Sequence, residues 1–255
     1  MSDLQGKAAL ITGASRGIGL ATAHKLAALG VDVALAARNE AALADHCDAL
    51  TKEGARAIAA PCDVASFAEV RAAVDKTVAA FGRLDILVNN AGVIDPIARI
   101  AESDVEEWSR AVDVNVKGVY HGLRAALPVM QAQGAGVIVN MSSGAANSAL
   151  EGWSHYCATK AAAKKLTECA HTEVGDMGIR IVGLSPGTVA TDMMAKIKAS
   201  GVNPVSRLDW SSHIPPEWAA EAVAFLCGPG GADFAGQDFS IKTEEGRKLV
   251  GLPVQ

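Results

Sequence analysis

The feature that most constrains the fold is a strand-like run, a glycine-rich turn and a helix-like stretch that follow one another near the N-terminus. Residues 7–12 read KAALIT, residues 13–19 read GASRGIG, and residues 20–30 read LATAHKLAALG. Glycines at such a turn let the backbone approach a phosphate, and the N–H groups of the following helix face the anion. The spacing is GxxxGxG, and the turn lacks the Lys-Ser or Lys-Thr pair of a P-loop. A turn without a ligand is the alternative, but the flanking strand and helix favour a dinucleotide-phosphate site.

Apolar, strand-like runs alternate with helical patterns along the whole chain, which is typical of parallel strands joined by crossover helices. Further strands are predicted at residues 31–37, 55–64, 84–92, 136–143, 179–187 and 236–241. Helical periodicity extends from Val105 to Met130 and from Ala158 to Val174, the second carrying Tyr156 and Lys160 at its start. The pattern predicts a single α/β domain over residues 1–255, with a doubly wound parallel sheet of about seven strands and helices on both faces.

One stretch is rich in helix breakers. It runs from Lys198 to Pro216, beyond the sixth predicted strand, and includes GVNPVSRLDWSSHIPP. Loops of this length without regular structure are uncommon in compact domains and often act as lids, with simple disorder as the alternative. Residues 192–216 are therefore predicted to form a lid over the substrate site.

Composition excludes several classes of function. The formal net charge is −5, and no block of Lys and Arg is present, which argues against nucleic acid or an acidic membrane surface as the main partner. No apolar run reaches the roughly 18 residues of a membrane span, and the start MSDLQGK lacks the pattern of a secretory signal. The five cysteines are odd in number and form no metal-ligand cluster. We expect a cytoplasmic protein with free thiols, no metal and a small-molecule substrate.

Three residues near the middle of the chain share a register that suits proton transfer. Ser143 lies thirteen positions before Tyr156, and Lys160 follows Tyr156 by four. Residues four apart lie on one face of a helix, so the Lys160 ammonium is expected to lower the pKa of the Tyr156 phenol toward the neutral range. A Tyr and Lys pair on a solvated helix is the alternative, and the glycine turn upstream makes that alternative less favoured.

Taken together, these motifs resemble those of the short-chain dehydrogenase/reductase family. The resemblance covers nearly the whole chain and rests on the segments TGASRGIG at 12–19, NNAG at 89–92, DVNVKG around Asn115, Ser143, YCATK at 156–160, and Pro186-Gly187. It implies a single-domain Rossmann-like fold. It also implies hydride transfer between a nicotinamide cofactor and an alcohol or carbonyl.

By position, the resemblance implies a role for each matching residue. Tyr156 would be the general acid/base, Ser143 would donate to the substrate oxygen, Lys160 would hold the nicotinamide ribose and lower the pKa of Tyr156, and Asn115 would support a water-linked proton path. The implied cofactor-binding residues are Gly13, Ser15, Arg16, Gly17, Ile18, Gly19, Arg38, Asp63, Val64, Asn90, Ala91, Gly92, Tyr156, Lys160, Pro186, Gly187, Val189 and Thr191. Asp63 and the NNAG segment would contact the adenine side, and the last four of those residues would border the nicotinamide.

Charge at the end of the second strand favours NADP over NAD. Enzymes that bind NAD usually carry an acid there, whereas the 2′-phosphate of NADP requires a cation. This strand ends in Arg38, and Arg16 can add a second guanidinium. Glu40 lies near the distance at which such acids occur, but it follows Asn39, a good N-cap, and is predicted to begin a helix.

The substrate stays open between a 3-oxoacyl thioester, a ketone, an aldehyde and a secondary alcohol, with mostly apolar residues expected around it. The alternative to an enzyme is a non-catalytic protein that senses nucleotide or scaffolds a complex. By resemblance we expect a homotetramer, with a homodimer as the alternative. The C-terminal end departs from the family, because Lys242, Thr243 and Glu244 stand where relatives carry Asp-Gly-Gly, and this puts the subunit packing in doubt.

Overall fold

A parallel sheet of seven strands runs through residues 3–254, the part of the chain that the computed structural model describes. The strands are β1 (Ala8–Thr12), β2 (Asp32–Ala36), β3 (Ala57–Ala59), β4 (Ile86–Asn89), β5 (Gly136–Met141), β6 (Ile179–Ser185) and β7 (Asp238–Ser240). Their order in the sheet is β3-β2-β1-β4-β5-β6-β7. The order reverses at β1, which opens a crevice between the carboxyl ends of β1 and β4, where such sheets bind ligands. All seven strands lie within predicted ranges.

Helices cover both faces of this sheet. Within residues 3–254 they are α1 (Gly17–Ala28), α2 (Glu40–Lys52), α3 (Phe67–Phe81), α4 (Val105–Val112), α5 (Gly118–Gln133), α6 (Ser154–Val174), α7 (Asp192–Ser200), α8 (Pro216–Cys227) and α9 (Glu244–Val250). Alternate strand residues divide the core, since Ile11 and Ile86 pack with α1, α2 and α8, whereas Leu10 and Leu87 pack with α3, α5 and α6. The predicted doubly wound α/β architecture is confirmed.

The helix predicted over Val105–Met130 is interrupted by one turn of different pitch. The helices α4 and α5 are joined by a π-helical turn at Asp113–Lys117, and α5 continues to Gln133. A π-turn inserts an extra residue and changes the direction in which side chains point. Asn115 lies in this turn and is 1 % exposed.

The segment predicted as an irregular loop has more structure than its sequence suggests. Helix α7 extends to Ser200, and single 3-10 turns follow at Pro204–Arg207 and Trp210–Ser212. The buried Asn203 organises the first turn, because its Oδ1 accepts from the N–H groups of Val205 and Ser206 at 3.0 and 3.4 Å. Caps of this kind satisfy backbone donors that a breaker-rich sequence leaves unpaired.

The unusual C-terminal sequence forms a short helix, α9. Thr243 caps it, with its Oγ1 accepting from the N–H of Gly246 at 3.1 Å. Arg247 donates to the carbonyl of Ile241 at 2.9 Å and lies 5.3 Å from the centroid of the Trp218 ring on α8. The helix therefore packs against the sheet face that carries α8. No helix within residues 3–254 has the length and apolar character needed to cross a membrane.

Candidate active site

The glycine-rich turn lies against the loop that follows β4, and the approach is too close for side chains. A Cβ on Gly13 would lie 2.9 Å from Cα of Ala91, and a Cβ on Gly19 would lie 2.4 Å from the carbonyl oxygen of Gly13. The Asn90 amide fixes this contact by donating to the carbonyl of Thr12 at 2.8 Å. Thr12, which the sequence-based analysis did not assign to the site, accepts from the N–H groups of residues 90 and 91 through its hydroxyl.

The opposite wall of the crevice is the segment after β6, where Pro186, Gly187, Val189 and Thr191 were predicted. Gly187 and Gly17 both have positive φ, +84° and +55°, which a residue with a side chain rarely adopts. A Cβ on Gly17 would lie 3.3 Å from Cγ2 of Thr191, so the two walls meet here. Val189 pairs with Ile214 in an isolated parallel bridge.

The remaining residues predicted in the turn, Ser15, Ile18 and Arg16, have different surroundings. Ser15 offers its carbonyl to Nε2 of His46 at 3.1 Å, and Ile18 packs on the core. Arg16 is exposed and pairs with Asp192 at 3.3 Å. Its guanidinium therefore lies toward α7, on the side where the lid was predicted.

The carboxyl ends of β2 and β3 carry the predicted adenosine residues. Asn39 caps α2 through Oδ1, which accepts from the N–H of Ala42 at 3.1 Å, and Glu40 is the first residue of that helix, as predicted. Arg38 is exposed at the strand end. Asp63 pairs with Arg110 at 2.9 Å. Although partial burial opposes it, hydrogen bonds from Ala65 and Arg110 together with the charges of Arg110 and Arg38 lower the Asp63 pKa.

Val64, the neighbour of Asp63, is buried and ties this edge to α5. Its carbonyl bonds Nδ1 of His121 at 2.8 Å. Its side chain lies so close to α5 that a Cβ on Gly118 would be 2.9 Å from Cγ2 of Val64. Glycine is thus required at position 118 for α5 to pack this closely on Val64.

Ser143, Tyr156 and Lys160 come together at the start of α6. Burial raises the pKa of Tyr156 to about 12, and a hydrogen bond with the Ser143 hydroxyl lowers it by a smaller amount. Burial also lowers the pKa of Lys160 to about 8. The Lys160 Nζ lies 5.6 Å from the Tyr156 ring centroid and donates to the carbonyl of Met141 at 2.7 Å.

This electrostatic arrangement corrects one prediction. The sequence predicted that Lys160 draws the pKa of Tyr156 downward, but in the structure burial raises the phenol pKa. A low-dielectric environment disfavours the charged forms of both groups, the Tyr156 phenolate and the Lys160 ammonium. The spacing of the residues alone does not reveal that both groups are buried.

Asn115 holds the loop after β4 rather than facing open space. Its Oδ1 accepts from the N–H of Val93 at 2.8 Å, and its Nδ2 donates to the carbonyl of Val93 at 2.9 Å. The same Nδ2 is 3.2 Å from Oγ1 of Thr159, whose hydroxyl donates to the carbonyl of Tyr156. A chain of hydrogen bonds therefore runs from the loop through the π-turn to the helix that carries Tyr156 and Lys160. Gly92 lies alongside, where a Cβ would be 3.4 Å from Asn115 Oδ1.

An apolar cluster borders Tyr156. Its buried members are Ile94, Ala145, Trp153, Met194 and Ile197, and Tyr156 itself packs against them. The Trp153 ring meets the Tyr156 ring edge-on at 5.5 Å. At 4 % exposed, Trp153 belongs to the wall beside the tyrosine. His155 is also buried, and its Nε2 bonds the carbonyl of Ile94 at 2.6 Å.

Comparison with known proteins shows which family the chain belongs to. Residues 7–201 match the family model described as short chain dehydrogenase. The chain belongs to the short-chain dehydrogenase family. Its fold is accordingly the Rossmann fold of that family, and its chemistry is that of an oxidoreductase.

The similar proteins include enzymes that act on alcohols and ketones. The cyclohexanol dehydrogenase of Acinetobacter sp. (strain SE19) is 34 % identical over 238 residues, which cover 92 % of this chain and 93 % of the relative. A crystal structure of NAD⁺-bound xylitol dehydrogenase matches with a TM-score of 0.87 and 29 % identity over 94 % of this chain and 99 % of the other. A crystal structure of a variant actinorhodin polyketide ketoreductase with NADPH matches with a TM-score of 0.85 and 30 % identity, over 94 % of this chain and 97 % of the other. Nicotinamide cofactors are the rule in this family.

The crevice of this short-chain dehydrogenase fits such a cofactor. A Cβ on Gly19 would strike Gly13 O at 2.4 Å and Asn90 Nδ2 at 2.6 Å, so the start of α1 packs too closely on the turn and on Asn90 for a side chain at this position. The first helical turn of α1 presents free N–H groups to an anion at the same place. Thr191 lies against the turn at Gly17, and Lys160 lies near the loop after β4, where a Cβ on Gly92 would be 3.9 Å from its Nζ.

Proposed function

We propose that this short-chain dehydrogenase is an NADP(H)-dependent oxidoreductase that interconverts a compact, apolar ketone and its secondary alcohol. The single observation that carries the proposal is the Tyr156 hydroxyl, which is hydrogen-bonded to Ser143 and lies beside Lys160 at the edge of an apolar cluster. In that arrangement the Tyr156 hydroxyl supplies a proton within a site that is bordered by apolar side chains. The proposal rests on the family membership for its redox chemistry and on these contacts for its residues.

Each residue then has a separate task. The nicotinamide supplies or accepts the hydride when it is bound. Ser143 donates a hydrogen bond to the substrate oxygen, and Tyr156 donates a proton to that oxygen in the reductive direction. Lys160 holds the ribose hydroxyls through its ammonium, which lies 5.6 Å from the centroid of the Tyr156 ring. Asn115 keeps the loop at Val93 in place, so that the floor of the crevice does not move.

Arg38 favours NADP(H) over NAD(H). Its guanidinium is exposed at the end of β2, and Glu40, the acid that could bind a ribose 2′-hydroxyl, is committed to the first turn of α2. A free guanidinium suits a phosphate, because it can form two parallel hydrogen bonds with it.

The apolar walls favour a small hydrophobic substrate. The buried cluster beside Tyr156 consists of aliphatic and aromatic side chains, and its members carry no charge. A site of this composition gains affinity from apolar surface. Cyclohexanol, the substrate named in one relative, is a molecule of this class.

We also propose that residues 192–216 act as a lid. Lys196 on α7 pairs with Asp95 in the loop after β4 at 2.7 Å. Asn203 donates to the carbonyl of Glu151 at 3.0 Å, and Glu151 in turn pairs with Arg99 at 2.7 Å. These contacts connect the segment to the loop after β4 and to the residues before α6. The exposed Lys196–Asp95 pair is individually weak, as a closure that must reopen requires.

A panel of carbonyl compounds tests the proposal. Oxidation of NADPH and of NADH is measured with cyclic ketones, linear ketones, aldehydes and 3-oxoacyl thioesters. We expect the highest kcat/KM for a cyclic or short ketone with NADPH. A preference for the thioester would refute the substrate class, and a preference for NADH would refute the cofactor. Tight NADPH binding without turnover of any compound would favour the nucleotide-sensing alternative instead.

A further inference from the structure

A half-buried carboxylate lies behind the proposed active site, on strand β7. Asp238 is the first residue of β7, and its Oδ2 accepts from the hydroxyls of Ser142 at 3.0 Å and Ser185 at 2.9 Å. Ser185 ends β6, and Ser142 follows β5 directly before Ser143. The group therefore joins the start of β7 to the carboxyl ends of β5 and β6, where the proposed active site lies. Its Oδ1 is buried and has no hydrogen-bond partner within residues 3–254.

A glycine in the intervening strand makes room for this carboxylate. Gly183 on β6 pairs with Asn140 on one side and with Asp238 on the other. A Cβ at position 183 would lie 2.6 Å from Asp238 Oδ1. The carboxylate thus lies over the backbone of β6 and extends toward β5, which an alanine at 183 would prevent.

The charge of Asp238 acts on the helix above it. Burial raises the pKa of Asp238, and the hydrogen bonds from Ser185 and Ser142 oppose that rise. The charges of Lys164 and Lys160, four residues apart on α6, oppose it as well. Lys164 is held at the surface, where its Nζ donates to Oδ1 of Asn147 at 2.8 Å. Lys160 is 6 % exposed and points inward.

Lys160 needs a compensating charge, because an ammonium in an apolar interior is costly. Burial lowers its pKa to about 8, and the charge of Asp238 opposes that change. Its Nζ donates to the carbonyl of Met141 at 2.7 Å, and the next residue, Ser142, donates to Asp238 Oδ2 at 3.0 Å, so two consecutive residues connect the ammonium with the carboxylate. Neither the Met141 carbonyl nor the nearby ring of Tyr156 carries a negative charge while the phenol is protonated. Asn115, from the π-turn packed against α6, is neutral as well.

We propose that Asp238 is a positioning residue for catalysis, whose carboxylate, held by Ser142 and Ser185, keeps Lys160 charged in the buried site. This proposal rests on the proposed function for the role of Lys160 toward ribose and tyrosine. Asp238 itself touches neither the substrate nor the cofactor. Its influence passes through one charge and through the two serines that fix its direction.

The proposal predicts a pH effect with a definite sign. Ribose hydroxyls bind the ammonium better than the neutral amine, so cofactor affinity falls as the pH rises through the pKa of Lys160, about 8. Without the carboxylate the ammonium loses its proton at lower pH, by about one pH unit for a neighbouring charge. At pH 8, cofactor binding should then be several-fold weaker, approaching tenfold, and at pH 6 it should be unchanged.

The test is a titration of NADPH and of NADH into Asp238→Asn at half-unit steps from pH 6 to pH 9.5. Asn keeps the size of the side chain and an oxygen that accepts from both serines. The matched control is Asp233→Asn, which removes one acid from the exposed turn five residues earlier. We expect the affinity profile of Asp238→Asn to move about one unit toward acid, and the profile of Asp233→Asn to follow the wild type.

Two results would overturn the proposal. One is an Asp238→Asn profile with the wild-type midpoint, and the other is a loss of affinity that is equal at every pH, which indicates a structural role only. If Asp238→Asn does not fold by circular dichroism, Asp238→Ser is titrated and judged by the same criteria. Because cofactor titration needs no carbonyl substrate, failure of the substrate panel would refute the proposed function and leave this test intact.

Discussion

Arg38 offers the sharpest test of cofactor choice. Its side chain is exposed and makes no hydrogen bond or ion pair within residues 3–254, so Arg38→Ala removes a guanidinium without breaking an internal contact. Asp63, an acid whose pKa the Arg38 charge helps to lower, is already paired with Arg110 at 2.9 Å. We therefore expect the change to act on the bound 2′-phosphate and to leave the fold intact.

The size of the expected change in the Kd of NADPH depends on the exposure of Arg38. A hydrogen bond to a charged group contributes about 1.5 to 3 kcal/mol, and water competes for an exposed pair, so the lower end applies. About 1.5 kcal/mol corresponds to roughly a tenfold rise in the Kd of NADPH. NADH lacks the phosphate, and its Kd should stay the same.

Isothermal titration of both cofactors into wild type and Arg38→Ala measures the effect, and the ratio of the two Kd values separates it from general damage. Arg16→Ala is the matched control, because Arg16 is also exposed but pairs with Asp192 at 3.3 Å. Its effect on NADPH should be smaller. Adding Ala37→Asp to Arg38→Ala should reverse the preference toward NADH. The reasoning is refuted if wild type prefers NADH, or if Arg38→Ala weakens both cofactors equally.

The remaining predictions concern chemistry, stability and assembly. Tyr156→Phe keeps the ring and removes the hydroxyl that donates the proton, so the Kd of NADPH should be unchanged while kcat falls about 100 to 10,000-fold. A variant that keeps most of its activity would contradict the assignment. Asn115→Ala leaves both backbone groups of Val93 unpaired and should lower the free energy of unfolding in urea by about 2–4 kcal/mol. Gly19→Ala, whose Cβ would meet a backbone oxygen at 2.4 Å, should cost about 1–3 kcal/mol and abolish cofactor binding, unlike Gly144→Ala, which meets nothing within 4 Å. Sedimentation at micromolar concentration should show a homo-oligomer, and a monomer would argue against the tetramer or dimer.

The sheet was predictable because its strands are buried on both faces. The runs AALI of β1 and ILV of β4 are apolar, and each is followed by one polar strand residue and then by glycine or asparagine, so pattern and boundary agree. The segment beyond Lys198 was predicted less well, because its turns depend on Asn203, a buried cap whose partners a sequence does not reveal. Propensity alone reads such a segment as a loop.

The candidate active site was likewise predicted in part from the sequence. Ser143, Tyr156 and Lys160 were recognisable because their spacing is local and repeats along a helix. The influence of burial on Tyr156 and Lys160 was not, since it depends on which side chains surround them after folding. Asp238 lies 78 residues beyond Lys160 in the chain, and only the pairing of β6 with β7 brings it beneath the helix.

The strand order described above has a consequence for how the chain is made. β1 lies between β2 and β4, so one edge of this apolar strand stays unpaired until β4 has been synthesised. The 53 residues from Ala37 to Asn89 take about 3–10 s to translate at 5–20 residues per second. During that interval the growing chain exposes a strand edge that can pair with another nascent chain. Yield in recombinant expression should therefore depend on translation speed between β2 and β4, and on temperature, even for variants whose finished fold is stable.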